Sequence, residues 1–191
     1  MSNVTKLLIA ALGGEGGGVL SGWVVAAAQE EGLAVQATSV PGVAQRTGAT
    51  TYYVEIGKKN KDGQAPVFAL MPVEGSIDVV VASELMEAAR MVERGFVTPD
   101  RTFLVASTHR VLTVPEKSAR GARQLNADTM LRPLEARSRA RLPFDMAVAS
   151  RHARTIITAR LLRASPRLHV RPVHAARSSH SPHSQPPTAP N

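Results

Sequence analysis

The sequence predicts an α/β protein, a three-layer αβα domain with a mostly parallel sheet. Short apolar runs of strand length alternate with longer segments of helical periodicity. A glycine-rich stretch stands at the first junction between a strand and a helix. The length of 191 residues suffices for one such domain with a core, but not for two of ordinary size.

The first elements form a βαβ pattern. Residues 5–12 are an apolar run of strand length that ends in glycines. Residues 17–31 have helical periodicity and end at Gly32, with an apolar stripe at Leu20, Trp23, Val24 and Ala27. Residues 33–40 then form a second strand, parallel to the first and reached by a right-handed crossover.

A hairpin is predicted next. Residues 51–56 are β-branched and aromatic, as a strand requires, and residues 67–70 are the candidate for its partner. Asp62 and Gly63 between them are typical of a hairpin turn. The hairpin would add antiparallel strands at the edge of the parallel sheet.

The parallel pattern then resumes. Residues 77–82 are a candidate buried strand, and Ser83 is well placed to cap a helix over residues 84–94 that Gly95 ends. Residues 102–107 are the next strand.

The C-terminal part is less regular. Residues 122–137 are predicted as a helix broken or begun near Pro133, and residues 142–150 as a short apolar element. Residues 158–191 consist largely of Pro, Ser, His and Arg, with too few apolar side chains to offset the entropy of ordering. We therefore divide the chain into a domain over residues 1–157 and a disordered basic tail over residues 158–191.

The net charge of +8 belongs to the end of the chain. Residues 1–136 carry a net charge of −1, whereas residues 137–191 hold ten Arg, no Lys and a single acid, Asp145. Because no aromatic residue follows Phe144 to stack on bases, nucleic-acid binding is not favoured. A tail rich in Arg without Lys is also what a GC-rich gene yields when it is read out of frame.

Composition also limits the cofactors. The chain has no cysteine, so it offers no thiolate for zinc or for an iron–sulfur cluster, and any such group would sit on a partner. The N-terminal segment lacks the cleavage pattern of a signal peptide, and no apolar run reaches the roughly 18 residues of a membrane span. We expect a soluble cytoplasmic protein that makes no membrane contact.

The glycine stretch at residues 13–18 places backbone N–H groups at a helix N-terminus, where an anion is favoured. It lacks the spacing of the dinucleotide-binding motif and the lysine of the P-loop, and no acid ends the second strand to hold a ribose. Glu15 would repel an anion unless its carboxylate turned away. From the residues alone, a tight turn for close packing is the favoured interpretation.

Two motifs carry a resemblance to a known family. Gln45, Arg46, Thr47 and Gly48 match a QR-x-G loop, and glycines match a G-x-G-G-x-G turn and the helix end after it, at Gly14, Gly16, Gly17 and Gly32. With these motifs, residues 13–57 resemble the γ-type domain of 2-oxoacid:acceptor (ferredoxin) oxidoreductases. Within that family the likeness is greatest to the β subunit of indolepyruvate oxidoreductases, and it continues weakly to residues 144–147.

This resemblance implies a subunit of a thiamine diphosphate enzyme that oxidatively decarboxylates 2-oxoacids, with aryl pyruvates such as indolepyruvate as candidate substrates. Electrons would pass through iron–sulfur clusters to ferredoxin. The chain alone would bind no cofactor, and thiamine diphosphate, the clusters and coenzyme A would lie on or with a catalytic partner subunit. The isolated chain would be inactive, and its role would be to shape and support the partner's active site.

The resemblance also suggests which residues face that active site. They belong to the two loops at neighbouring strand ends, and the predicted cofactor-contacting residues are Gly14, Glu15, Gly16, Gly17, Gln45, Arg46 and Gly48. Arg46 is suited to a bidentate contact with a phosphate or carboxylate, and equally to pairing with a surface acid. No residue is assigned a catalytic or metal-ligating role, because His109, the one histidine near a predicted strand end, has no acid or cysteine nearby.

One further class of function stays open. A free-standing nucleotide-binding protein of Rossmann-like fold would also place a glycine turn after its first strand. It would require a nucleotide to bind the isolated chain at that turn.

Overall fold

The computed structural model describes residues 4–41, 49–111, 132–134 and 136–145. Its helices and strands follow in the order β1 (Val4–Ala11), α1 (Gly17–Glu30), β2 (Ala34–Pro41), β3 (Thr50–Gly57), β4 (Val79–Ala82), α2 (Leu85–Glu93), β5 (Phe103–Ser107) and β6 (Ala140–Phe144). The strands form a six-stranded sheet in the spatial order β2-β3-β1-β4-β5-β6. This arrangement confirms the predicted α/β class.

Most of the sheet is parallel, as expected. β1, β4, β5 and β6 pair in parallel, and β3 pairs antiparallel with both β1 and β2. β2 therefore runs in the direction of β1 without touching it. The predicted place of β3 at the sheet edge is wrong: β3 is an inner strand, and it buries Tyr53 on one face and Val54 on the other.

The two helices lie on opposite faces of the sheet, which gives the three layers. Successive residues of β1 point to opposite faces, so Leu7 and Ile9 pack with Leu20 and Val24 of α1. On the other face, β1 contributes to a second cluster with α2, which includes Leu8, Ala10, Leu85, Ala88 and Met91. Each fully buried Leu or Ile contributes about 1.5–3 kcal/mol relative to exposure.

Residues 67–70 do not form the predicted hairpin strand. Their backbone groups are satisfied by side chains instead: Gln36 Nε2 donates to Ala69 O at 3.0 Å, and Thr38 Oγ1 donates to Leu70 O at 2.9 Å. The Val67 side chain is almost fully exposed. The segment thus contacts side chains of β2 and β3, and among the described residues it joins no strand ladder.

Trp23 lies outside the core that the sequence predicted for it. The buried stripe of α1 consists of Gly17, Leu20, Ser21, Val24, Ala27 and Ala28, whereas the Trp23 side chain is 41% exposed. The buried positions begin at Gly17 and recur every three or four residues along α1. Residue 23 lies beside this stripe on the helix surface.

A buried polar cluster lies within the sheet on the face that α2 covers. Tyr53 OH donates to Glu55 Oε1 at 2.5 Å, and Lys6 Nζ lies 3.4 Å from the same oxygen. Ala69 N donates to Glu55 Oε2 at 2.6 Å. Burial and the hydrogen bond to Glu55 raise the pKa of Tyr53 above its ordinary value.

The C-terminal predictions fall largely outside the described residues. Residues 132–134 and 136 are helical, in agreement with the end of the predicted helix. β6 begins at Ala140, after the end of that predicted helix, and continues into the predicted apolar element. The division at residue 157 and the tail over residues 158–191 lie outside the described part of the chain. Within residues 4–111, apart from 42–48, and the short stretches near 140, no helix has the length and apolarity of a bilayer span.

Candidate functional site

The glycine turn leaves β1 at the carboxyl end of the parallel strands. Gly14 and Gly16 have φ angles of 83° and 82°, in the left-handed region that favours glycine. Gly16 is the N-cap residue of α1, and no side chain caps its N–H groups within the described residues. The first N–H groups of α1 are therefore oriented toward this edge of the sheet.

Gly17 lets α1 approach the sheet closely. A Cβ atom at this position would lie 2.6 Å from the Ala11 Cβ and 2.8 Å from the Tyr52 Cε2, closer than carbon atoms can pack. The Tyr52 ring also lies against Gly18. The close-packing role that the residues suggested for the turn is thus confirmed at Gly17.

The Glu15 carboxylate turns back toward the sheet. Its Oε2 accepts a hydrogen bond from Leu12 N at 3.2 Å and another from the hydroxyl of Ser83, at the end of β4. Ser83 N in turn donates to Ala10 O at 3.0 Å. The carboxylate therefore joins the ends of β1 and β4.

Glu84, rather than the predicted Ser83, caps α2. Glu84 Oε2 accepts from Met86 N at 2.6 Å and from Glu87 N at 3.1 Å, while its Oε1 accepts from Val111 N at 3.0 Å. Ser83 lies one position before the N-cap residue, and its hydroxyl contacts Glu15 and Leu12 N. The available sequence signal for this cap was an acid directly before the helical periodicity that starts at Leu85, since a carboxylate is favoured at a helix N-terminus.

Glu84 also ties β4 to the segment that follows β5. Besides the Val111 contact, Leu85 N donates to His109 O at 3.0 Å, and His109 N donates to the Ser107 Oγ at 3.1 Å. The ends of β1, β4 and β5 are thus linked through Glu15, Ser83 and Glu84. Hydrogen bonds therefore hold the carboxyl ends of these three strands together.

Two carboxyl groups near this edge have raised pKa values. Burial raises the pKa of Glu84, and the hydrogen bonds from Val111, Glu87 and Met86 only partly offset this effect. Burial also raises the pKa of Glu87, against the opposing influence of Arg90, which donates a hydrogen bond to it. The edge therefore holds carboxyl groups that resist ionisation.

The second predicted loop, with Gln45, Arg46 and Gly48, lies outside the described residues. The strands on either side of it are described: Pro41 pairs with Thr50, and Thr50 pairs with Ala11. The chain therefore leaves β2 and enters β3 at the same edge at which the glycine turn leaves β1. Among the predicted residues, the structure places Gly14, Glu15, Gly16 and Gly17 together at this edge.

This edge has features of a binding surface. In open α/β sheets, ligands bind at the carboxyl ends of parallel strands. Here that end offers the first N–H groups of α1, which no described side chain caps, beside the backbone of a glycine turn, and the Glu15 carboxylate is directed into the protein. Within the described residues, no group of three or more histidines or acids is arranged to hold a metal ion.

Comparison with known proteins places this fold in a family. The family model for pyruvate ferredoxin/flavodoxin oxidoreductases matches residues 6–160. Over 107 residues the chain is 33% identical to the indolepyruvate oxidoreductase subunit IorB of Archaeoglobus fulgidus, a match that covers 56% of this chain and 48% of that protein. The chain thus spans about half the length of the curated relative that it matches.

Solved structures share the fold. The pyruvate oxidoreductase subunit PORC of Thermotoga maritima superposes with a TM-score of 0.51 at 18% identity, over 86% of this chain and 78% of that one. The 2-oxoglutarate:ferredoxin oxidoreductase of Magnetococcus marinus, solved with 2-oxoglutarate, coenzyme A and succinyl-CoA, gives a TM-score of 0.52 at 12% identity. That match covers 82% of this chain and 22% of the longer chain.

Proposed function

Since the chain belongs to the pyruvate ferredoxin/flavodoxin oxidoreductase family, we propose that it forms part of a thiamine diphosphate-dependent 2-oxoacid oxidoreductase. The complex would convert a 2-oxoacid and coenzyme A to an acyl-CoA and carbon dioxide, and would pass the electrons to ferredoxin. The name of the archaeal relative supports an aryl pyruvate such as indolepyruvate as the substrate.

The observation that carries this proposal is the glycine turn at the carboxyl end of β1, in a chain of this family. Gly14 and Gly16 have the backbone conformation of a tight turn, and Gly17 brings the N-terminus of α1 against the sheet. The loop with Gln45, Arg46 and Gly48 begins and ends at the same edge. Together these residues form the surface that faces the partner's active site.

The chain contributes binding and shape. The helix N–H groups attract an anionic group such as a phosphate of coenzyme A or a substrate carboxylate, and the Arg46 guanidinium would reinforce that attraction. The chain contains no cysteine, so the iron–sulfur clusters would be held outside it. Thiamine diphosphate supplies the carbanion chemistry of decarboxylation and would likewise be bound by the catalytic partner.

The first test is recovery of the complex. The tagged chain should bring down a large subunit that carries thiamine diphosphate and iron–sulfur clusters, with dye reduction that depends on a 2-oxoacid and coenzyme A. Aryl pyruvates should be turned over faster than pyruvate. A folded chain that recovers no such subunit would overturn the proposal, whereas activity with pyruvate alone would overturn only the substrate assignment.

Arg46→Ala tests the surface. Loss of a charged hydrogen bond to an anionic group should lower kcat/KM by about tenfold or more, while the complex still assembles. Lys58→Ala is the matched control. Lys58 is an exposed cation that directly follows β3, so it lies at the far end of that strand from the glycine turn. Equal effects of the two substitutions would contradict the assignment of Arg46.

The division of the chain is tested by deletion of residues 158–191. If the tail is disordered and takes no part in the complex, the shortened chain should keep its thermal stability and recover the same partner. A loss of either property would place part of the folded domain beyond residue 157.

Nucleotide binding by the isolated chain is the second candidate, and one observation favours it. The Glu15 carboxylate is turned toward Ser83 and Leu12, which weakens the objection that it would repel an anion. Titration calorimetry of the chain with ATP and with NAD separates the candidates. Binding of either nucleotide by the chain alone would favour the second candidate.

A further inference from the structure

We propose that the free edge of β2 pairs with β2 of a second copy of this chain. The two strands would run antiparallel about a two-fold axis and join two sheets into one continuous sheet. The proposal depends on the sheet edge rather than on the proposed oxidoreductase function.

β2 is an unusually unprotected edge strand. All eight residues, Ala34–Pro41, pair in unbroken register with β3, so no bulge twists the edge away. None of the eight carries a charge, and the only proline is the last residue. Edge strands that remain monomeric usually carry charges, prolines or bulges, because their outward N–H and C=O groups otherwise pair with another strand.

The outward backbone groups of β2 have no partner within the described residues. No backbone or side-chain hydrogen bond from another described segment reaches the main chain of residues 34–41, apart from the ladder with β3. The segment that contacts Gln36 and Thr38 does so through their side chains. It therefore covers one face of β2 and leaves the edge open.

The opposite edge of the sheet differs. β6, with the sequence ARLPF, carries a charge at Arg141 and a proline at Pro143 within five residues. Both are devices that prevent strand addition. The contrast indicates that β2, rather than β6, is the edge that pairs.

A groove runs along the first half of β2. It has a volume of about 510 Å³, its floor is residues 32–36, and its walls include Gln29 at the end of α1 and Lys59, Ala65 and Phe68 on the other side. In a two-fold antiparallel pair, the second half of β2 from the other copy enters this groove. That half, with Thr38, Ser39 and Val40, is small and uncharged.

The helix next to this edge carries no charged residue before its last one, Glu30. α1 packs against β2 and β3, and its residues from Gly17 to Gln29 include no charged side chain. Val19 and Trp23 are exposed on it. A helix without a charged outer face is typical of one that another surface covers.

A second copy fits these observations because a two-fold interface places each residue near its own equivalent or a close neighbour of it. A charged edge would repel itself in that arrangement, whereas an uncharged one meets no such cost. Among the described strands each copy has one such edge, so the assembly stops at two chains.

The test is the mass of the full chain in solution, measured by light scattering at micromolar concentration. We expect twice the chain mass of 20.3 kDa. The double variant Ala37→Lys, Ser39→Lys should give the single-chain mass and stay folded by circular dichroism, because both side chains are exposed in the single chain. Ala140→Lys, at an exposed alanine of the β6 edge, should remain a dimer.

Cysteine cross-linking provides a second measurement in a chain that has no native cysteine. Ala37→Cys should form a covalent dimer on mild oxidation, and Ala140→Cys should not. A single-chain mass for the unaltered protein, a dimer that survives the two lysines, or cross-linking at residue 140 alone would each overturn the proposal. Occupation of the β2 edge by a different polypeptide in the recovered complex would also overturn it.

Discussion

The carboxylate of Glu15 accepts a hydrogen bond from the hydroxyl of Ser83, 68 positions later in the chain. Glu15 lies in the glycine turn after β1, and Ser83 is the buried residue directly after β4. A residue that the sequence presented as an obstacle to anion binding is therefore a structural link. The turn takes its conformation from the neighbouring strand as well as from its own glycines.

Ser83→Ala should lower the free energy of unfolding by about 1.5–3 kcal/mol, the usual cost of losing a hydrogen bond to a charged group. Denaturant titration measures this change. A double-mutant cycle with Glu15→Ala isolates the pair: Glu15→Ala should cost less in the Ser83→Ala background than in the unaltered chain. Additive effects would show that the two side chains are not coupled.

Gly17→Ala should destabilise the protein by about 1–3 kcal/mol, because its Cβ would overlap Ala11 and Tyr52. Gly22→Ala is the matched control in the same helix, where no atom lies within 4 Å of the added Cβ. There the better helix propensity of alanine should stabilise by about 0.5–1 kcal/mol. Thermal unfolding of both variants distinguishes close packing from general helix propensity, and equal shifts would contradict the close approach at Gly17.

The stability of the protein should depend on the ionisation of Glu84. Burial raises the pKa of Glu84 in the folded state above its unfolded value of 4.5, so the folded state holds this proton more tightly. The resulting stabilisation is complete below the unfolded pKa and is lost as the pH rises through the folded pKa. Relative to Glu84→Gln, the unaltered chain should therefore lose free energy of unfolding as the pH rises from acid toward neutral.

Glu84→Gln removes one of the acceptor oxygens of the cap, and this adds a difference that does not vary with pH. The slope of the difference with pH is consequently the diagnostic quantity, measured by denaturant titration at several pH values. A difference that stays constant, or that grows in favour of the unaltered chain with rising pH, would contradict the raised pKa.

Tyr53→Phe should cost about 1.5–3 kcal/mol, since it removes a hydrogen bond to the buried Glu55 carboxylate. Tyr52→Phe, one residue earlier on the opposite face of β3, should change the stability by no more than about 0.5 kcal/mol. Comparison of the two variants by thermal unfolding separates the hydrogen bond from the aromatic packing. A larger effect at Tyr52 would contradict the role of the cluster.

Local patterns predicted the elements well where hydrophobic periodicity was strong. β1, α1, β2 and β3 lie within one or two residues of their predicted bounds, because alternation and helical spacing reflect which side chains each element buries. The glycine turn was also predictable, since the positive φ angles of Gly14 and Gly16 restrict those positions to glycine. The family resemblance added the expected subunit role and a set of site residues, of which Gly14 to Gly17 share one edge.

The predictions that were wrong concerned contacts between residues distant in sequence. The edge position expected of β3, the strand expected at residues 67–70 and the cap expected at Ser83 were all decided by partners elsewhere in the chain. Glu84, whose carboxylate also accepts from Val111 N, caps α2 in place of Ser83. Ala69 joins no strand, and its N–H donates to Glu55. No periodicity in the sequence encodes such pairings.

The sequence by itself therefore determined the class of fold, the place of the glycine turn and the lack of thiolate ligands in the chain. These properties follow from composition and from residues close together along the chain. Only the tertiary structure decided that β3 separates β2 from β1, that Glu15 points inward, and that β2 is the outermost of the described strands on its side of the sheet. The physical reason is that strand order and buried hydrogen bonds minimise the energy of the whole packed domain. A segment considered alone does not contain the partners that decide its place.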